Sequence, residues 1–155
     1  MTITAYDLAE RFLGLQEADG TASNPAILAM LRLDAAWVED DETPWCSAFV
    51  NQIAWLLRLP RSRSLAARSW LAVGRAIPLE AARPGWDVVI LQRGTGRQPG
   101  PEVLDAPGHV GFFAGQDHSA SLRVLGGNQG NAVTIDAFPV ARVLGVRRLF
   151  GGLSG

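Results

Sequence analysis

The chain has 155 residues, a net charge of -1 and 48% apolar residues. That suits one core in a single domain, 1–155, and offers neither a basic footprint for nucleic acid nor a polybasic membrane anchor. No apolar run approaches the roughly 20 residues that cross a bilayer. Residues 1–7 hold no basic n-region or apolar h-region, so the expectation is a protein made in the cytoplasm without a signal peptide. One cysteine excludes an internal disulfide, and one cysteine with two histidines argues against a zinc site; no metal and no organic cofactor is expected.

In chain order, Thr4-Ala5-Tyr6-Asp7 reads as a capping box with Asp in place of Glu, opening a helix from about Ala5 to Leu13. Asn24-Pro25 is a cap with proline at the first helical position, so a second helix runs to about Leu33. The acidic run Glu39-Asp40-Asp41-Glu42 and Thr43-Pro44 precede a third helix, from Trp45-Cys46 to about Leu59. That helix is apolar nearly all round, as a buried central helix is. Ser64 to Gly74 reads as a short fourth helix carrying Trp70, stopped by glycine. After Pro84-Gly85 the character changes. Trp86–Leu91, His109–Ala114, Ser121–Leu125, Val133–Phe138 and Arg142–Phe150 read as strands, mostly separated by short turns, so the sheet should be antiparallel. Helices first and strands second give an α+β fold. Arg93 to Gly108 is a Gly/Pro-rich loop of unusual length.

The chemistry concentrates at three points. Cys46 starts a helix, where unpaired N–H groups and the helix dipole favour a thiolate. His109 starts a strand between Gly108 and Gly111, glycines that argue for a close approach of substrate or backbone. Gly126-Gly127-Asn128-Gln129 ends the next strand. With His118-Ser119 at the hairpin tip, His109 falls opposite Asn128, where side chains are about 5 Å apart and an amide can hold the imidazole. With one more residue in the loop, Gln129 takes that place.

The Cys-Ser-x-Phe-Val helix start, the Gly-His-Val-Gly strand and the Gly-Gly-Asn-Gln that follows resemble the NlpC-type cysteine peptidases and the related CHAP amidases. The order Asp-Asp-Glu-Thr-Pro-Trp-Cys, Ala-Arg-Ser-Trp-Leu, Gly-His-Val-Gly, Gly-Gly-Asn-Gln resembles short phage and prophage proteins of that superfamily, across about Glu17 to Arg148. The resemblance implies a papain-like fold, with the nucleophile helix packed on an antiparallel sheet, and cleavage of amide bonds in peptidoglycan stem peptides. It implies Cys46 as nucleophile, His109 as general base and Asn128 as orienting residue. Many relatives carry Asp where this chain has Trp45, and many carry Glu where it has Gly126. Asp41, by pattern resemblance, is expected in the substrate groove. Trp45 and Trp70 are candidates for its walls, although aromatic residues are mostly recruited for burial. Arg68 suits a stem-peptide carboxylate, and Gln129 completes the substrate-binding set. The implied setting is a phage endolysin, reaching the periplasmic wall after holin-type release, or a virion-associated lysin. The rivals are a cysteine amidase acting on non-wall peptides and a catalytically silent wall-binding or virion domain.

Overall fold

The computed structural model describes residues 2–20 and 22–151. Helix α1 (Ala5–Glu10) opens with the expected capping box: Thr4 Oγ1 accepts from Asp7 N at 3.1 Å, and Asp7 Oδ2 accepts from Thr4 N at 3.0 Å. It stops before Leu13 because the chain leaves at Gly14, whose φ is +94°, to pair with a later strand: Gly14 N donates to Val133 O, and Val133 N to Leu15 O. Helix α2 (Pro25–Arg32) is capped by Asn24 Oδ1 on Ala26 N at 2.9 Å, with Pro25 in its first turn. Helix α3 (Cys46–Leu56) buries its residues from Cys46 through Asn51, with Ile53 and Ala54, while Trp55 and Leu56 in its last turn are exposed. It ends earlier than the apolar pattern suggests because Arg58 turns left-handed at φ 55°. Arg58 N then donates to Trp55 O, and Leu59 N to Ala54 O, closing the helix as a left-handed cap does.

The expected fourth helix is a 3₁₀ segment, Ala67–Ala72, stopped at Gly74 (φ +73°), where a Cβ would lie 2.6 Å from Arg148 O. Strand β1 (Arg75–Ile77), which the hydropathy pattern did not reveal, follows it. The remaining strands are β2 (Asp87–Gln92), β3 (Gly108–His118), β4 (Ser121–Gln129), β5 (Ala132–Pro139) and β6 (Val143–Arg148). They form one antiparallel sheet in the order β1-β6-β2-β3-β4-β5. The fold is α+β, with α3 packed on β3 and β4.

Phe49 anchors that packing. Fully buried, it meets Phe12 of the turn after α1 and Phe112 of β3 edge-on, with centroids 5.9 and 6.2 Å away. Burial of such a ring contributes about 1.5–3 kcal/mol. Gly127 of β4 lets α3 approach, since a Cβ there would sit 2.6 Å from Trp45 Cζ3 and 2.9 Å from Phe49 Cβ. The other face of the sheet carries a smaller apolar layer, with Val89, Leu91, Phe113, Leu122, Val124 and Val146. β2 is therefore buried on both faces, and its end delivers the chain into the 93–108 loop from a fixed point.

Candidate active site

Cys46 is the first residue of α3, and no side chain caps that helix. Its early N–H groups are therefore free for whatever faces the sulfur. His109 is the second residue of β3, paired with Leu91 of β2. Both are buried, Cys46 at 2% and His109 at 9% exposure. Burial pushes the thiol pKa up. The hydrogen bond and charge of His109, with the backbone N–H groups of Val110 and Ser47, outweigh it and leave the thiol below its ordinary value. Burial pushes His109 down, but the hydrogen bond and charge of Cys46 and the hydrogen bond of Gln129 carry it above the ordinary histidine value, against Arg93. Both directions favour the thiolate and the imidazolium over the neutral pair.

Gln129 Oε1 lies 2.9 Å from His109 Nε2. Its amide nitrogen donates to Val124 O at 3.2 Å, Thr134 O at 3.0 Å and Thr134 Oγ1 at 3.0 Å. Those acceptors fix which end of the carboxamide faces the ring, so Oε1 accepts and Nε2 carries the proton. Nδ1 is the nitrogen left for the sulfur. Gly126 clears the space for this pair, because a Cβ there would strike Gln129 Oε1 and come 3.3 Å from His109 Nε2. Phe138 of β5 stacks on the imidazole, with centroids 5.4 Å apart and planes 23° apart.

Gln129 thus takes the position the strand register suggested for Asn128. The hairpin turn falls at Ser119-Ala120 rather than His118-Ser119, but two irregularities bring Phe112 opposite Leu125, the pairing that would set Asn128 against His109. The pattern breaks between Gly126 and Gln129, where the β4–β5 register slips and Asn128 adopts φ 59°. A one-residue slip sends the side chain to the other face, so the amide that reaches His109 belongs to Gln129. Under the hydrolytic chemistry proposed below, Gln129→Leu is expected to lower kcat by about 10²-fold or more, because the imidazole loses its fixed orientation. Asn128→Gly, which suits the left-handed backbone, is expected to stay within about twofold. Steady-state hydrolysis by the two variants checks this.

Four other expected substrate contacts are structural. Asp41 is 1% exposed, and its Oδ2 accepts from Ala18 N at 2.9 Å and Asn24 N at 2.7 Å, tying the α1–α2 connection to the segment before α3. Trp45 is fully buried, and its indole N–H donates to Glu17 Oε1 at 2.9 Å. Trp70 is fully buried, and its indole N–H donates to Ser47 Oγ at 2.9 Å. Arg68 is fully buried and recognises backbone rather than a substrate carboxylate. Nε donates to Pro107 O (2.9 Å), Nη1 to Gly100 O (2.7 Å) and Val103 O (3.0 Å), and Nη2 to Pro99 O (3.0 Å). It holds the 93–108 loop in place up to the residue before Gly108.

That loop walls a cleft of about 710 Å³ over Cys46, with Pro44, Leu65, Ala66 and Ala67 opposite Thr95, Gln98 and Pro107. A second cleft, of about 240 Å³, opens over His109 beneath Phe138, Asp136 and Arg142. Arg93 lines both. Sequence reading missed Thr134, Phe138 and Arg142; the β4–β5 register sets Thr134 opposite Gly126, close to Gln129, whereas it pairs Phe138 with Leu122 and does not foretell the stacking of Phe138 on His109. Among the described residues no cluster of three or more His, Cys, Asp or Glu side chains could hold a metal ion.

No protein-family model matches the chain, and no curated protein does. Among solved structures, NlpC1 from Trichomonas vaginalis superposes with a TM-score of 0.55 at 17% identity. The chain therefore has an NlpC-like fold. The superposition takes in 94% of this chain and 42% of that protein, so the chain spans under half of the length of its structural neighbour.

Proposed function

We propose that this protein is a cysteine amidohydrolase that cleaves amide bonds in peptidoglycan stem peptides. The observation that carries the chemistry is His109, held between Cys46 and the fixed carboxamide of Gln129 where two clefts meet. The NlpC-like fold supports it, and the wall substrate rests on the four ordered motifs from Asp40 to Gln129. A phage or prophage lysin released to the periplasmic wall, or carried by the virion, is the setting that fits those motifs.

In this mechanism Cys46 Sγ attacks the amide carbonyl carbon as thiolate. The uncapped N–H groups of the first turn of α3 hold the oxyanion. His109 Nδ1–H protonates the leaving nitrogen, the C–N bond breaks, and a thioester remains on Cys46. Water then attacks the thioester, giving its proton to His109 and restoring the ion pair. Gln129 keeps Nε2 occupied throughout, so that Nδ1 does the proton transfer.

The test is digestion of purified diaminopimelate-type peptidoglycan by the wild type and Cys46→Ala, with products read by mass spectrometry. New muropeptides from the wild type alone are expected. Intact wall beside both proteins would remove the wall substrate, and identical products from both would remove Cys46 as nucleophile.

A further inference from the structure

The two clefts have different partners in the reaction. The larger contains Cys46 and not His109, and the smaller contains His109 and not Cys46. The thiolate bonds to the acyl carbon, whereas the imidazolium must reach the departing nitrogen. If the amidohydrolase reading holds, the acyl part of the substrate lies along the larger cleft and the amine part enters the smaller one.

The charges of the smaller cleft follow from strand register. Leu91 of β2 sits between His109 of β3 and Val143 of β6. The residues just past those pairs, Arg93 after β2 and Arg142 before β6, therefore emerge at the same end of the sheet as His109. Both line the cleft beside it, as does Asp136. Both are exposed. Among the described residues the ion pairs are Arg61–Asp34, Arg123–Asp117 and Arg148–Asp87, so neither guanidinium is committed to an internal acid. The cleft thus offers two fork-shaped cations against one anion, with the ring of Phe138 as an apolar wall.

We infer that this cleft is a leaving-amine subsite that selects amines bearing a free carboxylate, held by Arg93 and Arg142. A guanidinium matches a carboxylate in bidentate geometry. The placement also serves catalysis. Arg93 opposes the protonated form of His109. A carboxylate on Arg93 offsets that repulsion and favours the imidazolium that gives its proton to the same amine.

The leaving-amine site can be read in reverse by acyl transfer, without knowing the acyl preference. p-Nitrophenyl acetate acetylates Cys46: a C–S bond forms, the ester C–O bond breaks, p-nitrophenolate leaves, and the His109 imidazolium gives its proton to solvent, so that the imidazole is neutral. An added amine then attacks the thioester, the C–N bond forms, the C–S bond breaks, the amine proton passes to His109, and Cys46 departs as thiolate. Alanine and alaninamide are compared as acceptors, per unit of free amine, with acetylated products measured by mass spectrometry and Cys46→Ala as the background. The wild type is expected to favour alanine by about tenfold or more, as one charge-assisted pair implies. Arg93→Gln and Arg142→Gln should each reduce that preference. Equal transfer to both acceptors, or a preference that survives both substitutions, overturns the subsite and leaves the amidohydrolase reading intact. Absence of Cys46-dependent p-nitrophenolate release overturns both together.

Discussion

Cys46→Ala is expected to lower amide hydrolysis by about 10⁴-fold or more, since removing a nucleophile leaves only binding and oxyanion stabilisation. The fold should survive. Cys46 is small and buried, and alanine keeps the first turn of α3, whose N-terminus depends on no side-chain cap. The loss should be non-additive. His109→Ala alone removes the base, the proton donor and the partner that keeps the buried thiol ionised, so the double variant should be little worse than either single one. Steady-state rates for the three variants, with circular dichroism to confirm folding, check this. A Cys46→Ala protein retaining a tenth of wild-type activity would contradict the account.

Arg68→Met is expected to cost about 2–4 kcal/mol of stability, read as a lowered urea midpoint. Four hydrogen bonds to a charged group would suggest more, but two effects reduce the loss. The freed carbonyls of Pro99, Gly100, Val103 and Pro107 lie on a surface loop that water can reach, and the guanidinium no longer has to be desolvated. Hydrogen exchange should quicken most across residues 99–107, and activity should fall because the wall of the Cys46 cleft comes loose. Arg68→Lys should recover only part of the loss, since an ammonium cannot span carbonyls on both sides of the fork. An unchanged midpoint in Arg68→Met would show that the loop is held by other means.

Local signals carried most of the fold. The caps at Thr4 and Asn24, the apolar run after Cys46 and the strand pattern after Gly85 each arise within a few residues, and the structure forms helices and strands there. The resemblance to NlpC-type peptidases anticipated the layer order. β1 was missed because its three residues are short and mostly exposed, and they form a strand only by pairing with β6. At the site, Cys46 and His109 were legible because each begins an element whose start is marked locally. The amide was not, because the choice between Asn128 and Gln129 depends on one left-handed residue and a register slip. Asn-Gln-Gly-Asn reads as turn-like in composition, and Asn128, Gly130 and Asn131 do turn with positive φ; the sequence does not say which side chain the turn presents. Asp41 and Arg68 were misassigned for a shared reason. A charged residue near a nucleophile suggests substrate, but whether its partners are backbone groups inside the protein is decided by long-range packing.

The most direct measurement of the central claim is the pH dependence of Cys46 alkylation by iodoacetamide. A depressed thiol pKa means that the thiolate, and with it the alkylation rate, is already present below the ordinary thiol midpoint of about 8.5 and is lost only as pH falls through the lower value. A raised His109 pKa means that the stabilising imidazolium persists above the ordinary histidine range and disappears as pH rises through it. The wild-type rate should therefore rise through a midpoint below that of a free thiol. In His109→Ala the midpoint should move up to the free-thiol value or beyond, because burial then acts with less opposition. A wild-type midpoint at or above the free-thiol value, or one that His109→Ala leaves in place, would contradict the ion pair on which the proposed chemistry depends.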